Sequence, residues 1–349
     1  MNTSRILILS SCLLLSGCAI GNAKSTEADN PKTAYEFYLS GNALYRDGKY
    51  DEAIWAFRKS VELNGDYYFA RINLGVVLAK TQGFEKAAQE FTFCIEKKWG
   101  SEPDRFVFYH NRALAMQAGG DATSALKDRA ALKKLDPIRA AKLQDSADYV
   151  LMDAAYVEAR NRADRDRLFD KHKRSILKGK TTVHKVGDFE KNSQEYDAIG
   201  LIEGTVEQVS SLLADFKSYP KFMPNVSEIT VRSSSDEGTV VDYKLRLPLG
   251  IVKRYRLKFR SKQEDNRYQL SWKKLPWLEL KPKETVVDSY GQWIIEDFAG
   301  REDHVLAYYR VFTDPGKIPF GTGWIADALS KQSMPKMFKK MQSRVKELK

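Results

Sequence analysis

The chain has 349 residues, enough for two domains at about 100–200 residues each. With 43% hydrophobic and 30% charged residues its composition is that of a globular protein and excludes a collagen-like or disordered chain. The net charge of +11 arises from 57 basic against 46 acidic residues and weighs towards the C-terminal part, which permits attraction to phosphates of lipid or nucleic acid without choosing between them.

The first segment carries one charge, Arg5, then an apolar core "ILILSSCLLL" of secretory-signal length, too short to span a bilayer comfortably. It ends in Leu15-Ser16-Gly17-Cys18, which resembles the bacterial lipobox. The resemblance implies a lipoprotein signal peptide over residues 1–17 and a lipid on Cys18. Ala19, where an aspartate would imply inner-membrane retention, implies the periplasmic face of the outer membrane. Cys94 is then the only thiol of the mature chain; it lies in an apolar helical stretch and reads as a small core residue. Residues 18–32, small and polar, read as a flexible tether. No later segment is apolar enough to cross a membrane.

Over residues 33–137 a period appears. Gly41, Ala53 and Phe57 recur 34 residues on as Gly75, Ala87 and Phe91, and a third copy places Ala125 at the equivalent position. This resembles three tetratricopeptide (TPR) repeats, an all-α solenoid whose concave groove commonly receives a peptide. The groove positions would include Tyr38, Asn42, Tyr45, Arg46 and Lys80. Only Asn42 fits the family's carboxylate clamp, so the chaperone-tail specificity is not carried over; a spacer or dimerisation module is the competing reading. Residues 138–190 read as a continuing capping helix followed by a linker, with Leu143, Val150, Leu151 and Val157 sealing the last repeat.

From about residue 194 the period becomes two. "VVDYKLRL", "RYRLKFR" and "RYQLSW" each set apolar residues against polar ones, the pattern of antiparallel strands with one buried face. In "TVVDSYGQWIIEDF" and "DHVLAYYRVF" both faces carry apolar groups, so parity is ambiguous. A helix closes the chain, with Met334, Phe338, Met341, Val345 and Leu348 at helical spacing and Pro335 marking a kink or restart. The order is strand, helix, proline-broken aromatic turn "DFKSYPKFMPNV", six strands, long helix. Over residues 191–349 this resembles the START-like (SRPBCC) helix-grip family, near its polyketide-cyclase and coenzyme-Q-binding branches. The fold expected is thus multidomain: a TPR solenoid, then an α+β helix-grip domain whose curved sheet and long helix enclose a hydrophobic ligand.

The inward aromatics Tyr243, Tyr255, Phe259, Tyr268 and Trp272 are the candidate ligand contacts, with Trp293 and Tyr309 added by the family's parity. Tyrosine joins an apolar body to a polar handle, as a lipid or quinone pocket requires, though aromatics at strand spacing also build filled cores. Three turns at one end of the meander are apolar and contain Leu249, Trp277, Leu278 and Phe320, the candidate mouth and membrane contacts. The outward row Arg254, Arg256, Lys258 and Arg260 reads as a solvated face. The four histidines are far apart, no metal-ligand spacing or nucleophile motif occurs, and no catalytic residue, metal or cofactor is assigned. The expectation is an envelope lipoprotein that binds or transfers a lipid or quinone-like molecule while its repeats dock a protein partner. The alternatives are a scaffold acting through its repeats alone, and a cyclase-like or hydrolytic enzyme; no nucleic-acid partner is expected.

Expressed in bacteria, the wild-type chain is expected to incorporate labelled palmitate and the Cys18→Ser variant to remain an unlabelled precursor. Equal labelling of both would contradict the lipobox.

Overall fold

The computed structural model describes residues 33–143, 146–186, 194–277, 279–316 and 323–347. The signal peptide and tether expected over residues 1–32 lie outside them. No helix among the described residues is long and apolar enough to cross a membrane.

Six helices come first, α1 (Ala34–Arg46), α2 (Tyr50–Leu63), α3 (Tyr68–Lys80), α4 (Phe84–Glu96), α5 (Glu102–Ala118) and α6 (Ala122–Leu135), each packed on the next. The repeated small residues explain the pairing. A Cβ on Gly41 would sit 2.6 Å from the Phe57 ring, and one on Gly75 2.6 Å from Phe91, so glycine lets the second helix of each pair press an aromatic against the first. Thr33 opens α1 and Ser101 opens α5 with capping boxes that satisfy otherwise orphan N–H groups. Cys94 is fully buried, as a core residue, and burial raises its thiol pKa.

The next segment departs from the expected continuous capping helix. A short α7 (Pro137–Lys142) ends at Leu143, residues 146–153 have no helix or strand pairing, and α8 (Ala154–Ile176) restarts on an Asp153 cap. The intervening run is held by side chains of the helical array. Asn111 accepts from the Val150 N–H and donates to its carbonyl, at 2.8 and 2.9 Å. Asn73 does the same for Met152, at 2.8 and 3.2 Å. These bonds satisfy backbone groups that a helix would have paired internally. The expected linker also contains a strand, β1 (Thr182–Lys185), so the sheet begins before residue 191.

The remaining strands are β2 (Gln194–Glu203), β3 (Val226–Ser235), β4 (Gly238–Arg246), β5 (Val252–Glu264), β6 (Arg267–Leu275), β7 (Asp288–Asp297) and β8 (His304–Asp314). They form one antiparallel sheet in the order β1-β2-β8-β7-β6-β5-β4-β3. Between β2 and β3 lie α9 (Val206–Ala214), a 3-10 turn (Phe216–Ser218) and α10 (Tyr219–Phe222). The last helix, α11 (Gly323–Lys346), runs through Pro335 as one element. Its Met334, Met337, Phe338, Met341 and Val345 enter the core on the sheet's inner face; Leu348 lies outside the described residues. The N-terminal helical region followed by an eight-stranded antiparallel sheet and a C-terminal helix is consistent with a helix-grip domain.

The sheet's outer face meets α8 and the helical array through buried charge. Arg310 of β8 grips Asp197 of β2 with two bonds of 2.6 Å, and reaches Asp164 at 2.8 Å and Asn161 at 2.6 Å on α8. Arg160 of α8 joins Glu195 of β2 at 3.0 Å and Asp104 of α5 at 3.1 Å. The hydroxyls of Tyr68 and Tyr156 donate to Asp104, and that of Tyr308 to Asp197. All four carboxylates and both guanidiniums are buried. Removing one partner of such a set strands a charge in low dielectric. Arg310→Met is therefore expected to destabilise the protein by about 3–5 kcal/mol in urea unfolding; a change below about 1 kcal/mol would contradict the network's role.

Asp288, at the start of β7, is buried, and burial pushes its carboxyl up to about 6, only partly opposed by Lys274. In the unfolded chain it titrates near about 3.9. The folded state thus holds the proton more tightly, and this contribution to stability is lost as pH rises from about 4 through about 6. Asp288→Asn is expected to raise the melting temperature at pH 7.5 relative to wild type and to narrow that difference at pH 4.5, read by thermal denaturation.

Candidate functional site: an aromatic cavity under the long helix

The inner face of the sheet encloses a cavity of about 240 Å³ between β4–β8, the α10–β3 turn and α11. Alternation builds it. On β4, Tyr243 and Leu245 point inward; on β5, Lys253, Tyr255, Leu257 and Phe259; on β6, Trp272; on β7, Trp293; on β8, Tyr309 and Val311. Tyr243 stacks on Tyr255 with ring centroids 5.4 Å apart, Trp272 stacks on Tyr309 at 5.6 Å, and Trp293 lies 4.5 Å from Tyr309 and 5.4 Å from Phe338 of α11. Gly291, opposite Trp272 in register, leaves the space that indole crosses: a Cβ there would meet its ring at 2.5 Å.

Six of the seven inward aromatics read from the sequence, Tyr243, Tyr255, Phe259, Trp272, Trp293 and Tyr309, line this cavity. Tyr268 is a correction: it is buried further along β6 in the core and does not reach the cavity. The proline-broken turn contributes a wall that strand alternation did not reveal. Tyr219 lines the cavity, with its hydroxyl donating to the Leu213 carbonyl at 2.6 Å, while Phe216 packs on Phe259 and Phe222 is core.

The polar complement is small. Burial keeps the Tyr243, Tyr255 and Tyr309 hydroxyls protonated, raising each pKa well beyond neutrality. The indole Nε1–H of Trp293 is buried with no hydrogen-bond partner among the described residues. A buried donor without an acceptor costs about 1–3 kcal/mol. The described lining contains no carboxylate, imidazole or thiol. Asp242, on the opposite face of β4, is held by Arg232 and Arg256 at 2.6 Å each, and together they keep its carboxyl below the usual range despite burial.

Lys253 marks the end of the cavity nearest the apolar turns. It is buried, and its Nζ donates to the carbonyls of Lys283, Thr285 and Pro315 at 3.0, 2.9 and 3.1 Å, tying the β6–β7 turn to the end of β8. Burial lowers its pKa. Its inward position was legible in the alternation with Tyr255 and Leu257, although the basic row around it masked the signal.

The mouth residues fare unevenly. Leu278 and Phe320 lie outside the described residues, as does the side chain of Leu249. Trp277 is a correction. It is half-buried with Arg256 stacked on its ring at 4.7 Å, so it covers the outer face of β5 instead of projecting from the turn. The outer basic row is engaged as a solvated face: Arg256 with Asp242, Lys258 with Glu237 and Arg254 with Glu284.

The helical groove also departs from expectation, because the chain's own residues 148–153 lie against its predicted contacts. The Tyr38 hydroxyl donates to the Met152 carbonyl, Asn42 accepts from Asn73 at 2.7 Å, and Arg46 pairs with Asp153 at 2.9 Å. Tyr45 packs beside Tyr50, and Lys80 is exposed at the end of α3. Sequence reading missed Asn73 and Asn111; their signal was an asparagine buried on an otherwise apolar or alternating helix face.

No protein-family model matches the chain, and no curated protein matches it. Among solved structures, the STAR-related lipid transfer protein from Xanthomonas axonopodis is 17% identical, covering 48% of this chain and 93% of that one, with a TM-score of 0.42. The human StAR-related lipid transfer protein 5 is 15% identical, covering 53% and 98%, with a TM-score of 0.40. The first TPR of Spaghetti bound to an HSP90 peptide is 20% identical, covering 33% of this chain and 90% of that one, with a TM-score of 0.29.

Proposed function

We propose that the sheet-and-helix domain is a START-like binding module for a small hydrophobic molecule carrying a hydrogen-bond acceptor, and that the chain presents it at the bacterial envelope through lipidated Cys18. The observation that carries the reading is the aromatic cavity itself, lined by Trp293, whose buried Nε1–H has no hydrogen-bond partner among the described residues. Its volume is slightly below the range usual for drug-sized ligands, which favours a single chain or ring system over a whole diacyl lipid. Beside the tyrosine hydroxyls and indoles the described lining carries Lys253, tied to three backbone carbonyls, and a few amides and hydroxyls, but no carboxylate, imidazole or thiol; binding or transfer is the reading this set supports. The helical array, read as TPR repeats, serves here as a clamp: its groove holds residues 148–153, and a protein partner in that groove would have to displace them.

The test uses residues 24–349 purified without denaturation. Native mass spectrometry is expected to show a non-covalent hydrophobic ligand, and the neutral probe N-phenyl-1-naphthylamine to brighten on binding. Val311→Trp, which fills the cavity, is expected to abolish both while circular dichroism stays unchanged. Trp293→Phe is expected to weaken an acceptor-bearing ligand about tenfold, the effect of one hydrogen bond of about 1–1.5 kcal/mol. A clean apoprotein that leaves the probe dark would overturn the proposal.

A further inference from the structure

A second cavity, of about 330 Å³, lies on the opposite side of the sheet, between the outer faces of β5–β7 and the helices α1, α3 and α8. Trp272 is the one described residue that lines both cavities. The outer cavity's chemistry is different. Register places Lys258 of β5 directly opposite Lys273 of β6 on the same face, with Arg260 two residues along. Like charges directly opposite on a sheet are unfavourable, and the described partners do little to relieve them. Lys258 meets Glu237, whose side chain is 81% exposed, at 3.2 Å, and Lys273 meets Glu36 only at 3.4 Å. The acidic residues of the same wall are already engaged, Glu195 with Arg160 and Glu158 with Arg267 and Arg162. Arg160 and Arg310, deeper in, are taken by the buried network.

Facing the lysines is a wall of rings. Tyr67 meets Tyr290 edge-on at 5.6 Å and Tyr35 stacks on Tyr290 at 6.4 Å; Lys273 Nζ lies 5.3 Å from the Tyr35 centroid. Between them stands Gln292, only 7% exposed. Its carbonyl accepts from Gln269 at 2.8 Å, which fixes the amide, while its Nε2 has no partner among the described residues. A buried donor beside an aromatic wall and a like-charge pair of lysines, each met by a single carboxylate, is the complement of one chemical class.

We propose that this outer cavity binds a small aromatic acid, its ring on Tyr35, Tyr67 and Tyr290, its carboxylate at Lys258, Lys273 and Arg260, and a further acceptor on Gln292 Nε2. The site is separate from the inner cavity, and either assignment stands without the other. The site also sits where the helical array meets the sheet, so its ligand contacts both.

The probe is 2-naphthoate, titrated into residues 24–349 by calorimetry, with neutral 2-naphthalenemethanol as control. The wild type and Val311→Trp, whose inner cavity is filled, are expected to bind naphthoate equally and at least tenfold more tightly than the alcohol. Lys258→Glu is expected to weaken naphthoate at least tenfold with little change in melting temperature, because the opposite charge it sets against Lys273 offsets the loss of the exposed pair with Glu237. Gln292→Leu is expected to weaken a hydroxynaphthoate more than naphthoate itself. No measurable naphthoate binding, binding lost in Val311→Trp, or binding indifferent to Lys258→Glu would each overturn the proposal.

Discussion

The buried ions on the outer face of the sheet set the constraint on which the rest of the architecture depends. A guanidinium or carboxylate taken out of water is tolerated only when its partners are in place, because desolvation otherwise exceeds the Coulombic gain. Here the partners come from four elements: Asp104 from α5, Arg160, Asn161 and Asp164 from α8, Glu195 and Asp197 from β2, and Arg310 from β8. Arg160 and Arg310 bridge helix and sheet, so their full set of partners is in place only when the two are docked together. The helical array, α8 and the sheet accordingly form one compact unit from residue 33 onward. Burial raises the Glu195 pKa, and the two arginines beside it oppose that rise.

Covering the outer face leaves the inner face and α11 to form the cavity, and the same covering limited what the sequence disclosed. On β4, β5 and β6 the alternation was readable because one face meets the aromatic interior and the other is largely wet. On β7 and β8 it failed, because Ile294 and Tyr308 pack outward under Leu168 of α8 while Trp293 and Tyr309 point inward. A strand buried on both faces shows no period. The first two helix pairs were legible for a local reason: a glycine facing a phenylalanine 16 residues on is a constraint written in single residue types, and the third pair keeps only the small residue Ala125 of that pattern.

Residues 146–153 were illegible for the opposite reason. "SADYVLMD" has the composition of a buried helix, and nothing within it announces that Asn73 and Asn111, from distant parts of the chain, satisfy its backbone. Side-chain amides replacing a ladder leave no period in the segment they hold. Lys253 was similarly obscured: its parity placed it inward, but a lysine on an apolar face becomes reasonable only once three backbone carbonyls converge on it. Trp277 stands in an apolar turn, which in the sequence points to a membrane contact; the cation beneath it comes from the neighbouring strand.

The proline-broken turn between α9 and β3 joins these themes. α9 ends at Ala214, Pro220 opens the first turn of α10, and the aromatics of this stretch divide between packing and lining, with Phe216 and Phe222 in the core and Tyr219 on the cavity wall. The resulting site is apolar, aromatic and sparing in polar groups, with one indole donor left without a partner. The most direct measurement of whether that site holds a ligand is a crystal structure of the protein purified from cells without denaturation. The account predicts difference density between α11 and the sheet, elongated or ring-shaped, with an acceptor within hydrogen-bond distance of Trp293 Nε1. A well-ordered structure in which that space is filled by repacked side chains would contradict it.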